Sequence, residues 1–140
     1  MILIDTSKFD LVSTRKLIDK FIAKRVERIS LSAYRSALEI YPFWSGTYAS
    51  NWTIDVGLLD TTAPNQAPQY RGGRPEVQYL APRQPNTLPS LYSNPYQKVY
   101  IVNATPYAAM IEYVGTPRHT SPWMIANHAY NTTLAKFRFF

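Results

Sequence analysis

Cysteine is absent from this 140-residue sequence, and histidine is nearly so. Without cysteine the chain cannot form disulfide bonds, thiolate metal sites or a cysteine nucleophile. The two histidines, His119 and His128, have only Glu112 as an acidic residue in their part of the chain, so we expect no metal site. The five glycines form no phosphate-binding loop, and there is no G-x-S-x-G nucleophile elbow. We therefore predict that the protein is not an enzyme and that it binds no cofactor.

Long hydrophobic runs and blocks of like charge are missing as well. No stretch approaches the roughly 18 apolar residues that span a membrane, and the N-terminus lacks the features of a secretory signal. We therefore expect an intracellular protein with no membrane partner. The net charge of +6 is spread thinly, with eight bases against seven acids in residues 1–60, four against one in 61–98, and three against one in 99–140. This distribution argues against a dedicated nucleic-acid-binding domain, whose basic residues are usually concentrated.

A single domain over residues 1–140 is predicted from the length, and its first element is a long amphipathic helix from Ser13 to about Tyr41. Apolar residues recur there at three- and four-residue steps and form one stripe: Ile18, Ile22, Val26, Ile29, Ala33, Ala37 and Ile40. Such a helix is about 40 Å long, which is more than the core of a chain this size needs. We expect part of it to pack on another molecule. Its basic residues are interpreted as a solvated face, with contact to an acidic partner or to DNA as the alternative.

Two strands and two further helices follow. Asn51–Val56 and Val99–Ala104 have the two-residue period of strands. Thr105 and Pro106 predict the cap and first turn of a short helix. The helix is expected to end near Gly115, because glycine adopts the left-handed conformation after a helix with the least strain. Ser121-Pro122 repeats this device and predicts a last helix over residues 122–136. Its apolar residues are expected to cover the sheet: Trp123, Ala126, Tyr130, Leu134 and Phe137.

The stretch between the strands is rich in proline. Residues 60–97 hold seven of the eleven prolines, and only Glu76–Leu80 has the pattern of a strand. Proline-rich segments are stiff, so they lose comparatively little conformational entropy when they bind a partner. We interpret this stretch as an arm, inserted between the strands, that orders against a neighbouring subunit, with disorder in the isolated chain as the competing interpretation. The arm and the apolar C-terminus predict a subunit interface: Tyr70, Arg71, Arg74, Tyr79, Leu88, Leu91, Tyr92, Phe139 and Phe140.

Two blocks of the sequence follow a recognisable pattern. The residues NATPYAAMIEYVGTPRHTSPWMI (103–125) fit Asn-x-x-Pro-Tyr-Ala-x-x-(Ile/Leu)-Glu-x-Gly, a polar turn and a proline at a helix start, with Val114 as one added residue before the glycine. An upstream block has a proline and a glycine before an Asn-Trp pair at the start of a strand. Its residues are Pro42, Gly46, Asn51 and Trp52. The pattern resembles that of tailed-phage neck and tail-completion proteins, the head-to-tail joining group that includes the minor tail protein Z type. Its residues are expected to be structural: Gly46, Trp52, Asn103, Pro106, Tyr107, Glu112, Gly115 and Pro122.

The resemblance implies an α+β subunit in which a long N-terminal helix and a C-terminal helix pack on a small antiparallel sheet. It also implies a homo-oligomeric ring, a hexamer or a dodecamer, between the head connector or adaptor and the tail tube or terminator. Such a ring belongs to the virion, assembles in the host cytoplasm and lets genomic DNA pass without specific binding. Glu112 is expected to form a hydrogen bond or ion pair that ties the turn at Gly115 or Arg118.

Two other functions remain open from the residues alone. One is a small basic nucleic-acid-binding adaptor that uses the basic helix face together with Arg71 and Arg74. The other is a hydrolase whose site has no recognised motif.

Overall fold

The protein combines two long helices with a two-stranded antiparallel sheet. The structure, a computed structural model, describes residues 10–40, 48, 51–59, 87–116 and 121–138. The elements in chain order are α1 (Leu11–Ala37), β1 (Trp52–Val56), a 3-10 helix (Leu88–Tyr92), β2 (Val99–Asn103), α2 (Ala108–Tyr113) and α3 (Ile125–Phe137). The predicted α+β class, with long N-terminal and C-terminal helices and an antiparallel sheet, is confirmed. Residues 60–86 of the predicted arm (60–97), including the predicted strand Glu76–Leu80, lie outside the described residues.

Helix α1 begins two residues earlier than predicted because Asp10 caps it. The Asp10 carboxylate accepts hydrogen bonds from the Val12 N–H, at 3.0 Å, and from the Ser13 hydroxyl. The bond from Ser13 is the main cause that lowers the pKa of Asp10 below its ordinary value. The helix ends at Ala37, before the predicted Tyr41, where the Leu38 N–H bonds back to the carbonyls of the last turn.

The most buried side of α1 carries small and polar residues as well as apolar ones. Its buried residues are Ala23, Ser30, Tyr34, Ser36 and Ala37, whereas Ile18 of the predicted stripe is about half exposed. Ser30 is accommodated because its hydroxyl donates to the Val26 carbonyl at 2.8 Å. The Tyr34 hydroxyl donates to the Trp52 carbonyl at 3.3 Å, which links α1 to the sheet.

Strands β1 and β2 pair in antiparallel register, with Trp52 opposite Asn103 and Val56 opposite Val99. The 3-10 helix packs against both α1 and β1. Leu88 and Leu91 are three residues apart and therefore share one face of that helix. Both are buried beside Ile54 in the hydrophobic core. The end of the predicted arm thus folds onto its own subunit, and the prediction that Leu88 and Leu91 face a neighbour is wrong.

Helix α3 packs mainly on α1, and the two run antiparallel. Near the start of α3, His128 Nε2 lies 3.3 Å from Glu39 Oε2, just beyond the end of α1. At the end of α3, the Phe137 ring centroid lies 5.1 Å from the Arg25 guanidinium, midway along α1. The buried residues of α3 are Ile125, Ala129 and Thr133. The predicted face was wrong, since Tyr130 is 64% exposed and Leu134 48% exposed.

Candidate assembly surface

The sequence pattern of residues 103–124 folds into a junction between α2 and α3, and Glu112 is at its centre. Glu112 lies in α2 and is only 9% exposed. Its carboxylate accepts two hydrogen bonds from the first turn of α3, from the Ile125 N–H at 2.8 Å and the Ala126 N–H at 2.9 Å. Backbone N–H groups at a helix start have no partner within the helix, and a carboxylate also suits the positive end of the helix dipole. Glu112 therefore caps α3, which differs from its predicted role at the turn.

The junction is reciprocal, because the chain that enters α3 also completes the end of α2. The Trp123 N–H donates to the Ile111 carbonyl at 3.1 Å, and the Met124 N–H donates to the Glu112 carbonyl at 3.2 Å. Carbonyls in the last turn of a helix receive no hydrogen bond from within the helix. The Glu112 side chain of α2 thus accepts hydrogen bonds from the first N–H groups of α3, and the backbone N–H groups just before α3 donate to the last carbonyls of α2.

Two residues in the junction have positive φ. Gly115 has φ 112°, which agrees with its predicted left-handed role after α2. Met124 has φ 49° and ψ 43° and precedes α3 directly. The predicted helix start at Ser121-Pro122 is therefore wrong. The helix begins at Ile125, which is fully buried and is the residue whose N–H Glu112 accepts.

Asn103 holds the chain where β2 turns into α2. Its Oδ1 accepts from the Thr105 N–H at 3.1 Å and from the Thr105 hydroxyl at 2.8 Å, and its Nδ2 donates to the Tyr48 carbonyl at 2.7 Å. The prediction that Thr105 caps α2 with its side chain is wrong, because the hydroxyl is used by Asn103. Tyr107 occupies the cap position instead, without a side-chain hydrogen bond.

An aromatic group packs beside Glu112. The Tyr48 and Trp52 rings meet edge to face, with centroids 6.0 Å apart, and Tyr107 stacks at a tilt on Tyr48 at 6.3 Å. Burial raises the pKa of the Tyr48 hydroxyl, and the nearby charge of Glu112 adds to that increase. Trp52 is buried in this group and Tyr107 is 38% exposed, while Pro106 and Pro122 are exposed on the turns.

The half of α1 that α3 leaves uncovered presents large apolar side chains to solvent. Because α3 ends opposite Arg25, the first 14 residues of α1, about 20 Å of helix, extend past it. Leu17 is 69% exposed and Phe21 70% exposed, and Leu11 and Ile18 are also more than half exposed. At 100° per residue these four lie within about 120° of one another around α1. We call them the apolar patch.

An apolar groove lies further along α1 than the patch. It lies between α1 and α3, has a volume of about 390 Å³, and is lined by Ile29, Ala33, Tyr130, Thr133, Leu134 and Phe137. Leu11, Ile18 and Ile29 follow one another at seven- and eleven-residue steps, which keeps them on one side of the helix. Leu11 and Ile18 therefore point in the same direction as the groove, whereas Leu17 and Phe21 are turned from it by about 80–120° around α1.

Two tyrosines, one at the end of the 3-10 helix and one just after it, bond this part of the chain to α1. The Tyr92 hydroxyl donates to Glu27 Oε2 at 2.6 Å, and the Tyr96 hydroxyl donates to Asp19 Oδ1 at 2.9 Å. These hydrogen bonds are the main cause that raises the pKa of each tyrosine. Tyr92, predicted to lie at a subunit interface, is thus bonded within its own subunit, although its side chain remains exposed.

The remaining predicted interface and pattern residues lie outside the described ranges: Gly46, Tyr70, Arg71, Arg74, Tyr79, Phe139 and Phe140. The apolar patch was missed from sequence, and its signal was the presence of Leu17 and Phe21 off the predicted stripe. Over the described ranges, no three His, Asp or Glu side chains come close enough to hold a metal ion. No helix in those ranges has the length and apolar character that a membrane span requires.

No family model, curated protein or solved structure matches this chain.

Proposed function

We propose that the protein is a structural subunit that assembles into a ring through the apolar patch on α1. The patch is the observation that carries this proposal. Full burial of a large apolar side chain is favourable by about 1.5–3 kcal/mol, and Leu11, Leu17, Ile18 and Phe21 remain mostly in water. Contiguous apolar surface of this kind on a protein commonly marks an interaction site.

The arrangement of the patch and the groove favours a ring over a symmetric dimer. A closed ring requires a heterologous contact, in which one surface of a subunit meets a different surface of the next. The patch is the convex face of the free end of α1, whereas the groove is the concave seam between α1 and α3. In the proposed ring, the patch of one subunit occupies the groove of its neighbour.

The kind of ring follows from the sequence pattern. Its resemblance to tailed-phage neck and tail-completion proteins supports a hexamer or dodecamer in the virion, assembled in the host cytoplasm, between the head connector or adaptor and the tail tube or terminator. In this role the subunit needs no catalytic site, no cofactor and no membrane contact. Genomic DNA passes through the ring.

Native mass spectrometry and electron microscopy of the purified chain test the proposal. We expect closed rings of six or twelve subunits with a lumen that admits duplex DNA. The double variant Leu17→Ser/Phe21→Ser should remain monomeric and folded, with a helix content close to that of the wild type, because both side chains are mostly in water in the monomer. Its melting temperature should fall only by the stabilisation that assembly gives the wild type.

The matched control is Leu58→Ser/Leu59→Ser, which removes two exposed leucines after β1. It should assemble as the wild type does. If rings form equally well without Leu17 and Phe21, the patch is not part of the subunit interface. Open filaments or dimers in place of rings would contradict the ring itself.

A further inference from the structure

The solvent-facing side of α1 carries a regular row of positive charges. Lys16, Lys20, Lys24 and Arg28 follow one another at four-residue intervals, and all four are exposed. The row is about 18 Å long, with about 6 Å of axial rise between neighbours, and it stays within about one third of the helix circumference. We call these four residues the basic row.

The acids of α1 are engaged on the side where the 3-10 segment lies. Asp19 accepts the Tyr96 hydroxyl and is 4.0 Å from Arg15, and Glu27 accepts the Tyr92 hydroxyl. Both acids border the basic row, since Asp19 is three residues after Lys16 and Glu27 is three residues after Lys24. Among the described residues, no ion pair involves any of the four cations of the row.

We propose that the basic row binds the phosphate backbone of duplex nucleic acid without sequence specificity. One strand of a duplex carries a phosphate for every 3.4 Å or so of axis, so a row of about 18 Å lies along roughly five phosphates. Lysine and arginine contact phosphates through flexible side chains and read no base edges, so this contact gives no sequence preference. The binding surface follows from α1 alone. Its use, contact with DNA that passes through a ring, rests on the proposed function.

Titration of a fluorescently labelled duplex of mixed sequence, by anisotropy over a series of salt concentrations, tests the proposal. Neutralising four phosphates gives a slope of log K against log salt of about −3.6. Further subunits on the same duplex make the slope steeper. The diagnostic is therefore the change produced by the variant Lys20→Gln/Lys24→Gln, which removes two charges from the row.

That variant should make the slope shallower by about 2. By the same relation it should weaken binding by roughly 200-fold at about 50 mM salt. The matched control is Lys98→Gln/Lys136→Gln, which removes two exposed lysines elsewhere and should leave the slope near that of the wild type. Equal effects of the two double variants, or no salt-dependent binding by the wild type, would overturn the proposal.

Vesicles of phosphatidylserine and phosphatidylcholine in equal parts provide a second arm, because an anionic lipid surface also attracts a basic helix. Tighter binding to these vesicles than to the duplex would overturn the assignment to nucleic acid. Native mass spectrometry of the same samples separates the two proposals. Rings that do not bind duplex contradict the basic row only, whereas monomers that bind duplex with the expected slope contradict the ring only.

Discussion

The starts of α1 and α3 are both capped by a carboxylate, yet the two caps differ in origin and surroundings. Asp10 directly precedes α1, is exposed, and bonds to residues two and three positions along the chain. Glu112 belongs to another helix, lies 13 residues before the Ile125 N–H that it accepts, and is buried. The first cap can be replaced by water, because its donors are already in contact with solvent. Replacing the second cap by water is harder, because the Ile125 N–H that it accepts is buried.

The largest effect is expected from Glu112→Ala, which leaves the Ile125 and Ala126 N–H groups without their acceptor. The Ile125 N–H is buried and the Ala126 N–H is partly buried. A buried donor left unsatisfied costs about 1–3 kcal/mol, so the free energy of unfolding should fall by about 3 kcal/mol in urea denaturation. Glu112→Gln retains one carbonyl oxygen and should lose about half as much.

The control is Glu39→Gln, an exposed carboxylate beside His128, which should change stability by less than about 0.5 kcal/mol. A Glu112→Ala variant as stable as this control would show that solvent replaces the buried cap, and the distinction between the two helix starts would be lost.

Gly115→Val should produce the next largest loss, because a β-branched residue at φ 112° is strained. We expect about 2 kcal/mol, measured by the same denaturation, while Val114→Ala at the exposed neighbouring position serves as the control. Since the turn at Gly115 brings Glu112 to the start of α3, the double variant with Glu112→Ala should lose less than the two single losses added together. Strict additivity would mean that the turn and the cap act independently.

Met124→Gly should stabilise the start of α3. A non-glycine residue in the left-handed region costs roughly 1 kcal/mol, and Met124 is half exposed, so its side chain contributes little packing. The free energy of unfolding should rise by up to about 1 kcal/mol. Met124→Ala retains the strain and should show no such gain; an equal gain there would assign the effect to the side chain.

The smallest effect is expected from Asp10→Ala. Because the pKa of Asp10 is lowered in the folded protein, its cap contributes stability above the ordinary carboxyl pKa of about 4, and this contribution disappears as the pH falls through the folded value. The melting temperature of Asp10→Ala should therefore lie below that of the wild type at neutral pH and match it in strong acid. Asp10→Asn, which caps without ionising, should show no such pH dependence.

The same contrast separates what the sequence predicts from what it does not. The strand Trp52–Val56, the turn at Gly115 and most of α1 depend on periodicity and local conformation, and these predictions were correct within a few residues. The start of α3 was misplaced because Ser121-Pro122 has the right local pattern, while the acceptor that decides the start belongs to α2. Leu88 was assigned to an arm because proline dominates its neighbourhood, and its burial depends on β1, more than 30 residues earlier in the chain.

The candidate site, too, could be predicted from the sequence only in part. The pattern residues of the α2–α3 junction were identified, but the role of Glu112 required the three-dimensional path of the chain. The apolar patch depends on where α3 ends relative to α1, and no periodicity within α1 contains that information.

The reciprocal junction also has a consequence for the order in which the chain folds. With six residues, α2 is too short to persist as an isolated helix in water, and its terminal carbonyls have partners only after the chain has reached Met124. The start of α3 in turn requires Glu112 in place. We therefore expect the two helices to form in one cooperative step, with amide hydrogen exchange reporting a common opening free energy for Trp123, Met124, Ile125 and Ala126.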